Sequence, residues 1–435
     1  MFGTSGIRGP VGQTVTADLA LSVGRALGVE TDRVVVGRDP RESGELLTDA
    51  LTAGLCESGT DVLDLGLAAT PTVARTVAWD DADAGVSITA SHNPPTDNGI
   101  KLWQASGQAF DADRRETISR RVREDAADLQ AWDGLGDRRD AAARERHVQA
   151  LVEAVDVDDP PSVIVDVGNG AGGVTVDALQ KLGCAVETLN AQPDGTFPGR
   201  PSEPTAENCA SLATLVAESD ADLGIAHDGD ADRMRAVAGD GTYLSGDVTL
   251  ALFARAAAEP GQRVAAPVDT SLAVADHLAE ADVTVERTRV GDVYVAARAA
   301  EDGVAFGGEP SGAWIWPEAT LCPDGPLAAC RLVELAAERS LAERAAAVDT
   351  YPIQRDSVEV TDKTAIMGRV HDLVADRYEA AETLDGVRVD LGDGWFLLRA
   401  SGTQPLVRLT AEAREAGRAE TIVAEARDLL EAARG

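Results

Sequence analysis

The chain has 435 residues, 44% of them apolar, and carries 74 acidic against 39 basic side chains, a formal net charge of −35. At about 100–200 residues per domain this length predicts two to four domains, with enough apolar content to give each a core. So acidic a chain is repelled by nucleic-acid phosphates and by anionic membranes, which argues against nucleic-acid or membrane-surface roles.

The basic residues are lopsided. Lysine occurs only at Lys101, Lys181 and Lys363, and all the other basic residues are arginine. Carboxylates keep a surface hydrated where lysine stems would expose methylenes. At molar salt the Debye length falls to about 3 Å, which screens their mutual repulsion. The composition therefore points to a halophilic setting, with a GC-rich genome that encodes Arg and Ala cheaply as the alternative reading. Five cysteines (Cys56, Cys184, Cys209, Cys322, Cys330) are scattered without a CxxC or a Cys/His cluster, as free thiols in a reducing cytosol are. No apolar run reaches the roughly 18 residues of a membrane span, and no charged-then-apolar leader is present, so a cytoplasmic location is expected.

In chain order, a glycine-rich stretch, Phe2-Gly3-Thr4-Ser5-Gly6-Ile7-Arg8-Gly9, comes first. Short β-branched runs then recur, each followed by a turn and an Ala/Leu-rich helical stretch: 33–37 (RVVVG) before a helix near 44–58, 163–167 (VIVDV) before 174–182, and 264–268 (VAAPV) before 272–279. Strand alternating with helix predicts parallel α/β layers, here three α/β domains in series. Residues 156–161 (DVDDPP) read as a linker and 239–246 (GDGTYLSG) as a second turn-rich boundary. After residue 348 the pattern changes to short strands at 358–360, 387–391 and 395–399, then a long Ala/Glu/Arg helix, which predicts a smaller α+β C-terminal domain. The expected division is 1–155, 156–245, 246–348 and 349–435.

Four loops place unusual polar residues between glycines or at strand ends. Thr89-Ala90-Ser91-His92-Asn93-Pro94 follows the apolar run 85–88 and exposes a serine beside a histidine that can handle protons. Neighbours on an extended chain point opposite ways, so Ser91 and His92 are not in themselves a hydrolase triad. In Asp228-Gly229-Asp230-Ala231-Asp232-Arg233, three carboxylates at every second position converge on a hard cation if the loop curls. A calcium EF-hand would need glycine at loop position six and glutamate at twelve, where Arg233 and Gly239 stand. Gly307-Gly308-Glu309-Pro310-Ser311-Gly312 offers a carboxylate and a hydroxyl to sugar hydroxyls, or forms only a tight turn. Arg399-Ala400-Ser401-Gly402-Thr403-Gln404-Pro405 combines arginine, hydroxyls and exposed backbone in a nest for a phosphate monoester, with Arg408 near it. Residues 168–173 (GNGAGG) satisfy G-x-G-x-x-G, but Glu187 falls mid-strand, not at the strand end where a ribose-binding acid belongs. A tight strand-to-helix turn is the expected reading there.

The succession FGTSGIRG, TASHNP, DGDADR, GEPSG and RASGTQP, spread from residue 2 to residue 405, resembles the α-D-phosphohexomutase superfamily. Residues 98–101 (NGIK) and 165–170 (VDVGNG) match as well. The resemblance implies three similar α/β domains and a smaller fourth around a central cleft, and an isomerase that moves phosphate between the 1- and 6-positions of a hexose. Under it Ser91 is the serine phosphorylated in the active enzyme. Asp228, Asp230 and Asp232 hold one magnesium ion together with that phosphate. Arg8, Lys101 and Arg233 line the reacting centre, with His92 and Lys101 in proton transfer. Glu309 and Ser311 bind sugar hydroxyls, and Arg399, Ser401, Gly402 and Thr403 grip the non-reacting phosphate. A hexose 1,6-bisphosphate, such as glucose 1,6-bisphosphate, would be the primer, and a phosphosugar the only partner implied.

Residues 313–318 (AWIWPE) and 322–325 (CPDG) are similar to the archaeal-type phosphoglucosamine mutases, which implies conversion of glucosamine 6-phosphate to the 1-phosphate. Phosphomannomutase and phosphoglucomutase are the alternatives within the family, and a non-catalytic sugar-phosphate binder the alternative outside it. Two positions depart from the pattern: Ala313 stands where phosphomannomutase-type members carry histidine, and Gln404 where many carry glutamate.

Overall fold

A computed structural model describes residues 2–3, 6–378, 381–401 and 405–434. Four sheets follow one another along the chain. The first holds β1 (Ile7–Pro10), β2 (Arg33–Arg38), β3 (Asp61–Leu67), β4 (Ala84–Ile88), β5 (Asp97–Trp103) and β6 (Arg138–Asp140), in the order β1-β5-β4-β2-β3-β6. Its centre is parallel, and β5 and β1 join antiparallel at one side. The second sheet has the order β10-β9-β7-β8, built from β7 (Ser162–Asp166), β8 (Ala185–Leu189), β9 (Leu223–His227) and β10 (Met234–Ala238). The third runs β12-β11-β13-β14, from β11 (Arg263–Pro267), β12 (Thr284–Thr288), β13 (Val304–Gly308) and β14 (Trp314–Ile315). The architecture is thus three α/β units in series, each with a parallel core and an antiparallel edge.

The fourth sheet is wholly antiparallel, in the order β15-β19-β18-β17-β16, from β15 (Ile353–Glu359), β16 (Ala381–Glu382), β17 (Val387–Asp390), β18 (Gly394–Ala400) and β19 (Leu406–Ala413). Sequence pattern found parts of β15, β17 and β18. It passed over β19, whose Arg, Thr and Glu alternate with apolar residues although the strand is largely buried, and over the helix Lys363–Arg377.

Apolar packing divides the molecule differently from the sequence. The second and third units share one continuous core, in which Val163, Val165 and Ile225 meet Leu250, Phe306 and Trp314. The helix Gly325–Glu338, buried along most of one face, supplies Leu327, Leu332 and Val333 to the same cluster. The first unit keeps its own core around Val34, Val36, Leu51 and Ile88. So does the fourth, where Phe396, Leu398 and Leu409 face the helices Lys363–Arg377 and Ala416–Arg434.

The fourth unit meets the third through a small apolar cluster, Val268, Trp395 and Leu397, centred on one buried carboxylate. Glu412 accepts hydrogen bonds from Ser271 Oγ (2.5 Å), the Leu272 amide (2.7 Å) and Trp395 Nε1 (2.6 Å). Deleting it orphans three buried donors at about 1–3 kcal/mol each. Glu412→Ala is therefore expected to loosen the fourth unit, and limited proteolysis between residues 347 and 352 should accelerate about tenfold or more while the fragment 1–346 stays resistant. An unchanged cleavage rate would show that Glu412 does not hold the seam.

Candidate active site

Ser91 sits at the C-terminal end of the central strand β4, completely buried, with φ at +52°. A non-glycine residue pays strain for this left-handed conformation, so its surroundings must impose it. They do so from both sides of the residue. The Ser91 amide donates to Thr89 Oγ1 (2.8 Å), whose hydroxyl donates to Asp39 Oδ2 (2.6 Å). Arg41 Nε donates to the same carboxylate (2.9 Å). The rest of the guanidinium donates to the carbonyls of Ser91 (2.9 Å), Asn93 (2.7 Å), Pro94 (2.5 Å) and Asp97 (2.8 Å). One arginine thus shapes the whole serine loop.

The aspartate loop leaves β9 at His227 and turns back into β10. Its bend places Ala231 at φ +56°, and His227 ties its two ends together. Nδ1 donates to the Arg233 carbonyl (2.8 Å), and Nε2 lies 2.9 Å from Thr175 Oγ1. Burial pushes His227 down to about 4, so it is neutral and structural. Behind the loop, residues 167–172 form the tight turn expected of them. The Ala171 amide donates to the Gly229 carbonyl (2.9 Å), and a Cβ on Gly170 would come within 2.7 Å of that oxygen. Arg200 fills the space under Gly168, where a Cβ would meet its Nη2 at 2.6 Å, so the G-x-G-x-x-G turn supports the aspartate loop.

The two loops meet at the side-chain level. Ser91 Oγ donates to Asp228 Oδ2 (2.6 Å) and lies 3.3 Å from His92 Nδ1. Asp228, Asp230 and Asp232 each turn one oxygen inward, all within 4.8 Å of one another. Lys101 on β5 donates to Asp230 Oδ2 (2.7 Å) and Asp232 Oδ2 (2.5 Å). The helix Thr70–Trp79 points its N-terminus at the same loop, with the Thr70 hydroxyl on Asp230 Oδ2 (2.7 Å) and its amide on the Asp230 carbonyl (2.9 Å).

Three buried carboxylates against one ammonium leave a charge imbalance. Burial, then Asp232 and Asp230, push Asp228 well above the ordinary carboxylate range. Burial and Asp230 raise Asp232 too. Burial opposes ionisation of Asp230 as well, but Lys101 outweighs it and holds Asp230 low. Asp230 Oδ1 and Asp232 Oδ1 are buried without a hydrogen-bond partner among the described residues. Orphaned carboxylate oxygens turned into one small space are the donor set of a hard divalent cation, so these residues fit a metal ion.

Around this centre stand the other expected residues. Arg8 on β1 lies opposite Gly99 of β5, with its Nε buried and unpartnered among the described residues. Arg233 pairs through its backbone with Ala313, which brings the third unit to the aspartate loop. His92 is driven down to about 2 by burial and by the cations Arg233, Arg8 and Lys101, so its imidazole is neutral. Glu309 is buried, accepting from the Gly291 amide (2.6 Å) and Ser311 Oγ (3.1 Å). Burial, then Asp292, raises it to about 7.

The fourth unit stands apart. Arg399 is directly opposite Arg408 across β18 and β19, so both leave the same sheet face, and Arg399 pairs with Asp385 (3.3 Å). Ser401 is buried, and its carbonyl accepts from Lys363 Nζ (2.5 Å). Gly402 and Thr403, with Gln404, lie outside the described residues. Among the described residues, no hydrogen bond or ion pair joins Arg399 or Arg408 to the centre at Ser91.

Family comparisons bear on the same residues. Profiles of the three α/β/α domains of phosphoglucomutase/phosphomannomutase match residues 1–128, 145–241 and 245–351, and that of its C-terminal domain matches 357–429. A probable phosphoglucosamine mutase of Methanopyrus kandleri is 45% identical over 99% of this chain and 97% of its own length. One from Methanococcoides burtonii is 44% identical over 98% and 99%. The chain belongs to the phosphoglucomutase/phosphomannomutase family. The crystal structure of a phosphoglucomutase/phosphomannomutase family protein from Burkholderia thailandensis superposes with a TM-score of 0.90 at 29% identity, covering 100% of this chain and 98% of that one.

Within this family fold, two residues of the site escaped sequence reading. Asp39 and Arg41 belong to the stretch 38–41 (RDPR), at the C-terminal end of parallel strand β2. That is the edge of an α/β sheet where ligands gather, and this position was the available signal. At Ala313 no imidazole is present. The residue is buried, and its carbonyl accepts from the Glu309 amide (2.9 Å), fixing the turn that carries Glu309.

Glu309 makes a pH prediction. Its folded-state pKa is raised, so the stability associated with its acid form is present at low pH and lost as pH rises through about 7. Glu309→Gln keeps the shape and removes the titration. Its melting temperature should exceed the parent's by several degrees at about pH 8.5 and match it at about pH 5. A difference independent of pH would show that Glu309 is not a buried titrating acid.

Proposed function

We propose that this family member interconverts hexose 6-phosphate and hexose 1-phosphate with Ser91 as the phosphoryl carrier, and that glucosamine phosphate is the preferred substrate. The observation that carries the reading is the Ser91 hydroxyl, 2.6 Å from Asp228 in a buried centre of three carboxylates and Lys101. The names of the relatives above 40% identity support the amino sugar; the Burkholderia structure keeps phosphomannomutase and phosphoglucomutase as the alternative.

In this mechanism the substrate's free hydroxyl attacks the phosphorus of phospho-Ser91. The bond from phosphorus to Ser91 Oγ breaks, a bond to the sugar oxygen forms, and the hydroxyl proton passes through a neighbouring base to the departing Ser91 Oγ. The product is a bisphosphosugar. After it turns over, Ser91 Oγ takes back the other phosphoryl group, which restores phospho-Ser91. Arg8, Lys101 and Arg233 surround the transferring group with fixed positive charge. Neutral His92, with Nδ1 3.3 Å from Ser91 Oγ, is the base placed to carry that proton, taking it up in one direction of transfer and delivering it in the other. Magnesium, held by Asp228, Asp230 and Asp232, would neutralise phosphoserine oxygens when bound. Full burial of Ser91 excludes water, which would otherwise hydrolyse the ester.

Glu309 and Ser311 take sugar hydroxyls, and Arg399, Ser401, Gly402 and Thr403 the phosphate that does not react. The four segments 1–155, 156–245, 246–348 and 349–435 are the walls of one cleft, with the last as its mobile wall. A hexose 1,6-bisphosphate phosphorylates Ser91 at the outset.

Ser91→Ala should lower kcat by about 10⁴-fold or more, and peptide mass spectrometry of the parent should find phosphate on Ser91. In magnesium, kcat/KM should be highest for glucosamine phosphate, then glucose and mannose phosphates. Steady release of inorganic phosphate, or full activity of Ser91→Ala, would overturn the reading. The acidic surface further implies a cytoplasm of concentrated salt. The melting temperature should fall by about 10 °C or more between about 3 M and 0.1 M KCl; an equal value at both concentrations would contradict this.

A further inference from the structure

The segment 190–204 carries none of the motifs that stood out in the sequence, yet it crosses from the second unit to the first. A Cβ on Gly195 would lie 2.5 Å from the Pro40 carbonyl and 2.6 Å from Arg41 Cα, so backbone rests on backbone there. Phe197 places its ring centroid 5.0 Å from the Arg41 guanidinium carbon. At the end of the segment Ser202, 4% exposed, inserts its hydroxyl between the two catalytic loops. Its Oγ donates to the Ser91 carbonyl (2.8 Å) and accepts from the Gly229 amide (3.0 Å). A Cβ on Gly229 would come within 2.8 Å of that hydroxyl and 2.9 Å of the Ser91 carbonyl, so the three groups are in contact with no spare room.

We propose that Ser202 is a positioning residue for phosphoryl transfer, whose hydroxyl sets the spacing and orientation of the Ser91 loop against the aspartate loop. This rests on Ser91 being the carrier. In the unphosphorylated state the Ser91 hydroxyl itself bonds to Asp228 and ties the loops together. Phosphorylation removes that proton, and the tie with it, at the step where alignment matters most. The Ser202 bridge uses only backbone atoms of Ser91 and Gly229, so it persists in every covalent state of the serine. Arg41 cannot replace it, because Arg41 and Ser91 belong to the same unit. Thr70 and Lys101 also reach the aspartate loop from the first unit, through its carboxylates and, at the Thr70 amide, the Asp230 carbonyl, but not through Ser91. Among the described residues, Ser202 makes the one hydrogen bond from the backbone of Ser91 to the second unit.

Ser202→Ala removes the bridge and Ser202→Thr retains a hydroxyl. For the alanine variant kcat should fall about tenfold, the size of one buried hydrogen bond, with KM for the sugar phosphate within about twofold of the parent. Binding of Mn²⁺, read from loss of its free EPR signal, should weaken about tenfold, as when an outer partner of a metal ligand is lost. Ser202→Thr should recover both to within about threefold, with the melting temperature of each variant within a few degrees of the parent. A kcat and Mn²⁺ affinity within twofold of the parent in the alanine variant would overturn the proposal. So would equal losses in both variants, which would assign Ser202 to packing. A parent inactive on every hexose phosphate would instead defeat the reading of function. The Mn²⁺ titration of the two variants then decides the positioning role without turnover.

Discussion

Three carboxylates buried against a single ammonium are the constraint on which the rest of this molecule depends. Asp228, Asp230 and Asp232 lie on one tight loop with at most 4% exposure, and among the described residues Lys101 is the only side chain that ion-pairs with any of them. Like charges at such separations repel strongly in a low-dielectric interior, so the loop would open unless held from outside. It is held on every side: by His227 across its ends, by the 167–172 turn beneath it, by the helix Thr70–Trp79 at Asp230, and by Gly325 packed against the carbonyls of Ala231 and Arg233. The same imbalance, with carboxylate oxygens converging on one small space, fits the site to a cation.

The division of cores follows from this demand. Because the aspartate loop joins the second and third units, those two share one apolar cluster and behave as a single platform. The first unit, which brings Ser91 and Lys101, docks on that platform through polar bonds such as those of Thr70 and Ser202 and through a smaller apolar cluster in which Val73 and Trp103 meet Cys322. Arg75 of the first unit also binds Asp324 of the third (2.7 Å), below the loop. The fourth unit is attached by the small seam at Glu412 and Trp395. The apolar contact between the third and fourth units is thus far smaller than the core shared by the second and third, and polar pairs such as Arg414 with Asp276 complete the attachment.

The overall charge has a local counterpart. Arg8, Lys101 and Arg233 concentrate positive charge at the centre, and Arg399 and Arg408 do so on one face of the fourth sheet, within a chain of net −35. The net charge of the chain and the charge of these side chains are thus of opposite sign. The placement of Lys101, one of three lysines, belongs to this local charge. A compact ammonium fits between two aspartates where a planar guanidinium would not.

By itself the sequence determined the class of fold, the order of its units and the chemistry-bearing loops, because each is encoded locally. Alternating strand and helix patterns predict parallel layers wherever they occur, and clustered polar residues at strand ends are recognisable from composition alone. Asp39, Arg41 and Ser202 were not legible in this way. Their importance lies in carbonyls and amides that they reach 50 or more residues away, or across a boundary between units. The merging of the second and third cores was equally hidden, since an apolar residue reads the same whichever partner it meets. Only the tertiary structure decided these, because hydrogen-bond partners and shared cores depend on distances that no local pattern records.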